Sequence, residues 1–335
     1  MDRILHPGRL SRSALPNIGQ FTYNPVQTEI LIGRMPSLGV SGGSALPSVG
    51  FDHPAPQIPR LGRAAVAGNR LQSKSNTGIG VKHEIGFTQS TELTLAMDYS
   101  DGKVRLPWSL RDRWDRNIGA IGIDALLGQV AAEAIANTDD ADFVSTIWVG
   151  ASWTTRYTSG SVAKWNNYAS NPANQIRAAR RAVKKQCGQN PNHLILPQEA
   201  ADALCEHPKL RLRLAGGQGG PVDQLIKYAD LARALELDKV TVIDRVSNTA
   251  SDLVEANISL DYTISDGALL FVDKGPDVTS GTAAIRAYYN PAGQQGVMVD
   301  TGSNNEDRYD YWTLARHAGY NIVDARGGAF FDDIL

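Results

Sequence analysis

The chain has 335 residues, 42% hydrophobic and 20% charged, which leaves room for one large domain or two to three small ones around a real core. No run of 18 apolar residues occurs, which excludes a transmembrane helix, and Met1 to Gly8 lacks the apolar stretch of a secretory signal, so a cytoplasmic product is expected. Two cysteines, Cys187 and Cys205, outside any Cys-x-x-Cys pair, give no disulfide framework and no thiolate zinc site, and a net charge of −2 conceals separated signs. Residues 1–75 carry eight basic side chains against three acids, residues 143–198 carry seven basic side chains and no acid, and residues 300–335 carry seven acids against three arginines. Separated signs allow copies to meet through complementary patches, although a basic face is as often simply solvated.

Residues 1–60 hold half of the sixteen prolines, which rules out a long helix or a central strand there. Apolar side chains nevertheless recur, among them Phe21, Tyr23, Ile30 and Leu31, so an extended arm that orders against another surface is expected. Ile79, Val81, Ile85 and Phe87 alternate with polar residues or glycine, and after Thr88 to Thr91 the alternation resumes with Leu93, Leu95, Met97 and Tyr99, the pattern of a β-hairpin. A hairpin alone is marginal in water, so another element must cover its apolar face.

A helix follows over 109–137, with Ser109 as its cap and Leu110, Trp114, Ile118, Ile121 and Ala125 as one apolar stripe. At 1.5 Å per residue it runs about 40 Å. A second helix covers 172–187 between the Asn171 cap and Gly188; His193–Leu196 reads as a buried strand, and Gln198–His207 as a helix stopped by Pro208. A helical stretch around 230–235 leads into a strand at 240–243, with further strands at 268–272, 282–289, 295–299 and 309–324. The fold class is α+β.

No pattern of catalytic, cofactor-binding or metal-ligating residues emerges. The glycines of 216–220 precede Pro221-Val222 where a phosphate loop needs Lys-Ser/Thr, and the six histidines do not stand at ligand spacing. Six tryptophans lie in apolar or strand contexts without interleaved basic residues, which favours packing over base stacking.

Three motifs in order carry a resemblance. They are the Asn171-Pro172 helix through Val183, the Gly188-Gln189-Asn190-Pro191-Asn192 turn into His193–Leu196, and the helix ending at His207-Pro208. This sequence resembles tailed-bacteriophage major capsid proteins of the Hong Kong 97 type. The resemblance implies an N-terminal arm (1–60), an extended hairpin or E-loop (61–107), a peripheral domain (108–190 and 285–335) built on a spine helix at 109–137, and an axial domain (191–284). It implies a non-enzymatic icosahedral head shell around double-stranded DNA, made of hexamers and pentamers, assembled in the bacterial cytoplasm and resident in the virion. Scaffolding and portal proteins are implied partners, with a decoration protein as a further one, and no membrane or cofactor. No long charged helical segment precedes the arm, so the scaffold is expected to be a separate chain.

On this reading the arm and hairpin residues named above lie at subunit interfaces, and Arg177, Arg180, Arg181, Lys184 and Lys185 face the genome or an acidic neighbour. An encapsulin-like compartment, an α+β enzyme using the 215–221 loop, and a tail or decoration protein stand as alternatives.

Overall fold

The computed structural model describes residues 40–61, 90–117, 120–214, 226–248, 260–276, 281–290 and 296–335. In chain order these form α1 (Gly42–Ala45), β1 (Ser48–Phe51), β2 (Gln57–Leu61), β3 (Ser90–Thr94), β4 (Asp98–Pro107), α2 (Trp108–Asn117) and α3 (Ala120–Thr146). There follow β5 (Thr155–Tyr157), α4 (Pro172–Cys187), β6 (His193–Pro197), α5 (Gln198–Glu206), α6 (Pro208–Leu214), α7 (Tyr228–Leu235), β7 (Lys239–Ile243), β8 (Val246–Asn248) and β9 (Leu260–Tyr262). The chain closes with β10 (Ala268–Phe271), β11 (Ala284–Tyr289), β12 (Val297–Asn304), β13 (Tyr309–Ile322) and β14 (Gly328–Phe331), so the α+β reading holds.

The first sheet is organised by β13. Its residues 309–316 pair with β12 on one side and with β4 on the other, and beyond them Ala318–Ile322 pair with β11. Ala318 pairs with both Asp98 and Tyr288, so β11 and β12 lie end to end along the same edge of β13. Parallel β1 closes the far side of β11. The second sheet runs β5-β14-β10-β6-β7, with β6 and β7 parallel and joined through α5, α6 and α7. A continuous apolar run, Leu194-Ile195-Leu196 against Leu269-Leu270-Phe271, fills the middle of it, as expected of strands covered on both faces.

Helix α3 lies on the first sheet. Ala131, Ala132 and Ile135 pack on Leu106, Val297, Val299, Trp312 and Leu314. The opposite sheet face, carrying Ile285 and Ala287, is covered by Ile58, Leu95 and Val323 with Val49, Phe51, Leu93 and Met97. Alternate residues of β11 thus serve two separate cores.

Several expectations are corrected. The helix expected over 109–137 begins at Trp108, directly after the strand residue Pro107, so Ser109 is not its cap, and α3 continues to Thr146. Thr138-Asp139-Asp140 resembles a solvated helix end, yet both aspartates are buried and ion-paired, so the helix continues through them. Residues 93–99 are not one strand. Asn321 takes both backbone groups of Ala96, accepting from its N–H at 2.8 Å and donating to its carbonyl at 2.9 Å, and splits the run into β3 and β4.

Ser90 and Thr91, expected in a turn, pair instead with Leu61 and Arg60. The expected partner strand at 79–87 lies outside the described residues. Residues 40–60 do not wait for another surface: Ala45, Leu46 and Ile58 are buried within the chain itself, and β1 is an edge strand, the place where neighbouring prolines are tolerated. Pro208 ends one helix as expected and opens the next, α6. Strand β14, only four residues long, carries no alternation to read.

Candidate assembly surfaces

The interior is anchored by a charged seam. Asp139, Asp140 and Asp142 stand on one turn of α3. Arg316 of β13 donates from Nε to Asp139 at 2.6 Å and from Nη1 to Asp142 at 2.6 Å, while Arg286 of β11 donates to the other Asp139 oxygen at 3.0 Å. Arg245, just after β7, sets Nε 2.6 Å from Asp140 Oδ2 as an ion pair without hydrogen-bond alignment, and its Nη2 donates to Asn137 at 2.9 Å. Asp140 Oδ1 accepts from the Gly42 N–H at 2.8 Å. Burial raises the Asp140 carboxyl to about 6, against the pull of the Gly42 N–H and Arg245. One helical turn therefore ties both sheets and the 42–45 turn together.

The 42–45 turn needs its glycines. A Cβ on Gly43 would stand 2.8 Å from Asp139 Oδ2 and 2.8 Å from the Tyr320 hydroxyl, and one on Gly42 would enter the Phe143 ring.

His193 lies at the centre of the second sheet, with Nδ1 3.0 Å from Asp273 and Nε2 2.8 Å from Thr241. The order hydroxyl, imidazole, carboxylate matches a hydrolytic relay, but the imidazole is wholly buried against Phe271, and burial lowers its pKa. Its role is to tie β6 and β7 to the turn after β10. The glycine-rich loop 216–220 lies outside the described residues. Among the described residues no group of three His, Cys, Asp or Glu side chains is placed to hold a metal, and no helix is long and apolar enough to cross a membrane.

Helix α4 carries the basic residues singled out in the sequence. Its local signals act as expected: Asn171 Oδ1 accepts from Asn174 N–H, Pro172 opens the helix, and Gly188 ends it at φ 81°. Ile176, Ala179 and Val183 are buried beneath it, and Arg181, Lys184 and Lys185 stand exposed on the outside. Arg177 and Arg180 are half-buried and turn to the end of α7. Arg177 donates to Glu236 at 2.7 Å, Arg180 to the Glu236 carbonyl at 2.9 Å, and Arg213 of α6 pairs with the same carboxylate, whose pKa the Arg177 hydrogen bond lowers. Glu236 holds φ 58°, the left-handed conformation that ends α7. Nothing in the sequence signals this link.

Of the expected interface residues, Leu93, Leu95 and Met97 cover the chain's own sheet, and Tyr99 meets His317 edge to face at 6.1 Å. Phe21, Tyr23, Ile30, Leu31, Ile79, Val81, Ile85 and Phe87 lie outside the described residues. The tryptophans whose side chains are described pack as expected, Trp312 in the core beneath α3; the side chain of Trp114 lies outside what is described. Trp108, Trp148, Trp153 and Trp165 each bury at least part of the ring and donate Nε1 to Asp310, the Asp266 carbonyl, the Ile147 carbonyl and Gln175 respectively.

No protein-family model and no curated protein matches this sequence. Solved structures do match it over nearly its whole length. A phage-related protein from Bordetella bronchiseptica superposes with a TM-score of 0.68 at 16% identity, covering 94% of this chain and 98% of that one. A virus-like particle protein from Pyrococcus furiosus gives 0.53 at 9% identity, over 91% and 98% of the two chains. The capsid protein ascribed to a prophage of Escherichia coli CFT073 gives 0.51 at 13% identity, over 92% and 98%. The chain has the fold of viral and phage shell proteins. Within that class its arrangement is the Hong Kong 97-type capsid fold.

Proposed function

We propose that this chain is the major capsid protein of a tailed bacteriophage, a structural subunit that closes with many copies of itself, as hexamers and pentamers, into an icosahedral head around double-stranded DNA. The observation that carries this is the whole-chain likeness to a phage-related protein, covering 94% of this chain and 98% of the other, where a shared subdomain would leave one of them largely unmatched. The buried seam supports it, because it makes α3 and the sheet on which it lies one stiff unit, as a load-carrying plate requires.

In this reading α3 is the spine helix and the first sheet the core of a peripheral domain. Residues 191–284, with β6, α5, α6, α7 and β7, form the axial domain. Residues 1–39 and the 62–89 segment between β2 and β3 supply the arm and E-loop, so Phe21, Tyr23, Ile30, Leu31, Ile79, Val81, Ile85 and Phe87 contact neighbouring copies. Each contact needs only about 800 Å² per partner, and many together close a shell. Scaffolding and portal proteins assist, a decoration protein reinforces the shell, and assembly takes place in the host cytoplasm.

A second reading rests on the likeness to a virus-like particle protein: a compartment shell that encloses protein. Electron microscopy of the expressed protein, with assay of nuclease-protected contents, decides between them. Closed shells around DNA in the phage context support the head protein, shells filled with protein support the compartment, and a monomer at every concentration overturns both.

A further inference from the structure

On each copy, two helices of the second-sheet region present opposite charge to solvent. On α4 the exposed positions Arg181, Lys184 and Lys185 form a basic face, and no acid occurs anywhere in that helix. Among the described residues, Glu236 reaches this helix, where its carboxylate is engaged by Arg177 and Arg213 and its carbonyl by Arg180. On α5 the exposed positions are Glu199, Asp202 and Glu206, spaced three and four apart and hence on one stripe, while Ala200, Ala201, Leu204 and Cys205 are buried beneath them. Asp230, exposed in the first turn of α7, extends the acidic side, and Tyr228 engages Asp202.

Helix α7 packs against both α4 and α5. We propose that the basic face of α4 docks on the acidic stripe of α5 from a second copy of this chain, the occupant chosen by charge complementarity. A basic flank on one side and an acidic flank on the other make a heterologous contact, and a contact of that kind repeated around an axis closes a ring. This rests on the shell reading above and names the charges that set the rotation of one subunit against the next.

The test is a charge swap in the full-length chain. The α4 variant carries Arg181→Glu and Lys184→Glu; the α5 variant carries Glu199→Lys and Glu206→Lys; a third chain carries all four. None of these residues belongs to the buried seam, and far-ultraviolet circular dichroism with thermal unfolding checks that each chain folds. Light scattering then gives the concentration at which shells form. Each two-residue variant should raise that concentration roughly tenfold or more, because like charges then face each other, and the four-residue chain should return close to wild type.

Wild-type assembly should also weaken from about 0.1 M to about 1 M salt, where the Debye length shortens from about 10 Å to about 3 Å. Failure of the four-residue chain to recover overturns the docking, as does assembly of both two-residue variants at the wild-type concentration. An α4 variant that assembles normally but retains less DNA overturns it in favour of nucleic acid as the partner of α4. Wild-type shells with indifferent variants defeat this inference alone, whereas a wild type that never leaves the monomer defeats the shell reading with it.

Discussion

Arg316 donates to Asp139 at 2.6 Å across the seam between β13 and α3, and Arg316 is 1% and Asp139 3% exposed to water. Desolvating a guanidinium and a carboxylate is costly, and what offsets it here is multiple pairing: Asp139 also accepts from Arg286, and Arg316 also reaches Asp142. Such a pair contributes little beyond an apolar replacement but is costly to break from one side. Asp139→Ala should therefore destabilise the dispersed subunit by about 3–5 kcal/mol in urea unfolding, since buried Arg286 loses this carboxylate and buried Arg316 keeps only Asp142. Adding Arg316→Met should recover part of that loss. Additive losses in the double variant would show that the two side chains do not act as a pair.

The close approach of α1 to α3 predicts a contrast among glycines. Gly42→Ala and Gly43→Ala should each cost about 1–3 kcal/mol, because the added methyl meets Phe143 in one case and both Asp139 and Tyr320 in the other. Gly102→Ala in β4, with nothing within 4 Å of the new carbon, should be neutral or slightly stabilising. Thermal melts of the three variants under one condition make the comparison.

The parts legible in the sequence are those whose signals are local. Asn171, Pro172 and Gly188 bracket α4, and the apolar run after His193 marks a buried strand. The order of helix, strand, helix and strand from α4 to β7 therefore reads directly. The seam does not read at all, because Asp139 meets Arg286 147 positions away and Arg316 177 positions away. Polar residues that look like a helix end become helix interior only through those distant partners. Asn321 likewise breaks the 93–99 run from 225 positions away, so a single alternating pattern becomes two strands. The basic face of α4 was visible as an acid-free stretch; that Glu236 claims two of its five charges was not, since that carboxylate arrives on a left-handed turn.

Asp140 gives stability a pH dependence of known sign. Its folded pKa of about 6 lies above the ordinary 3.8, so the fold prefers the protonated acid. That preference is fully present below pH 3.8 and is lost as pH rises through 6, a change of about 3 kcal/mol at 1.36 kcal/mol per unit. His193, His207 and His317 have pKa values lowered by burial and act oppositely: their contribution is present above 6.5 and lost as pH falls. Asp140→Asn removes only the first effect. The stability of this variant relative to wild type should climb between pH 4 and pH 8 by about 2.5 kcal/mol, with the histidine contribution cancelling. A flat difference across that range would mean that Asp140 titrates normally.

Trp165 predicts how the chain end is held. The ring is fully buried, its Nε1 donates to Gln175 at 2.6 Å, its centroid lies 5.6 Å from that of the tilted Phe331 ring, and its backbone N–H donates to the Ile334 carbonyl. Gln175 in turn donates to the Ala163 carbonyl, so one indole joins the 163–165 loop, α4 and the chain end. Trp165→Phe keeps most of the packing but leaves Gln175 Oε1 without its donor and should cost about 1–3 kcal/mol. Trp165→Ala adds a cavity and should cost about 3–5 kcal/mol. Hydrogen exchange at residues 329–334 separates a local from a global role: faster exchange there, with protection in α3 unchanged, is the expected result. Equal loss of protection in both places would make Trp165 a general core residue and not the clasp of the last strand.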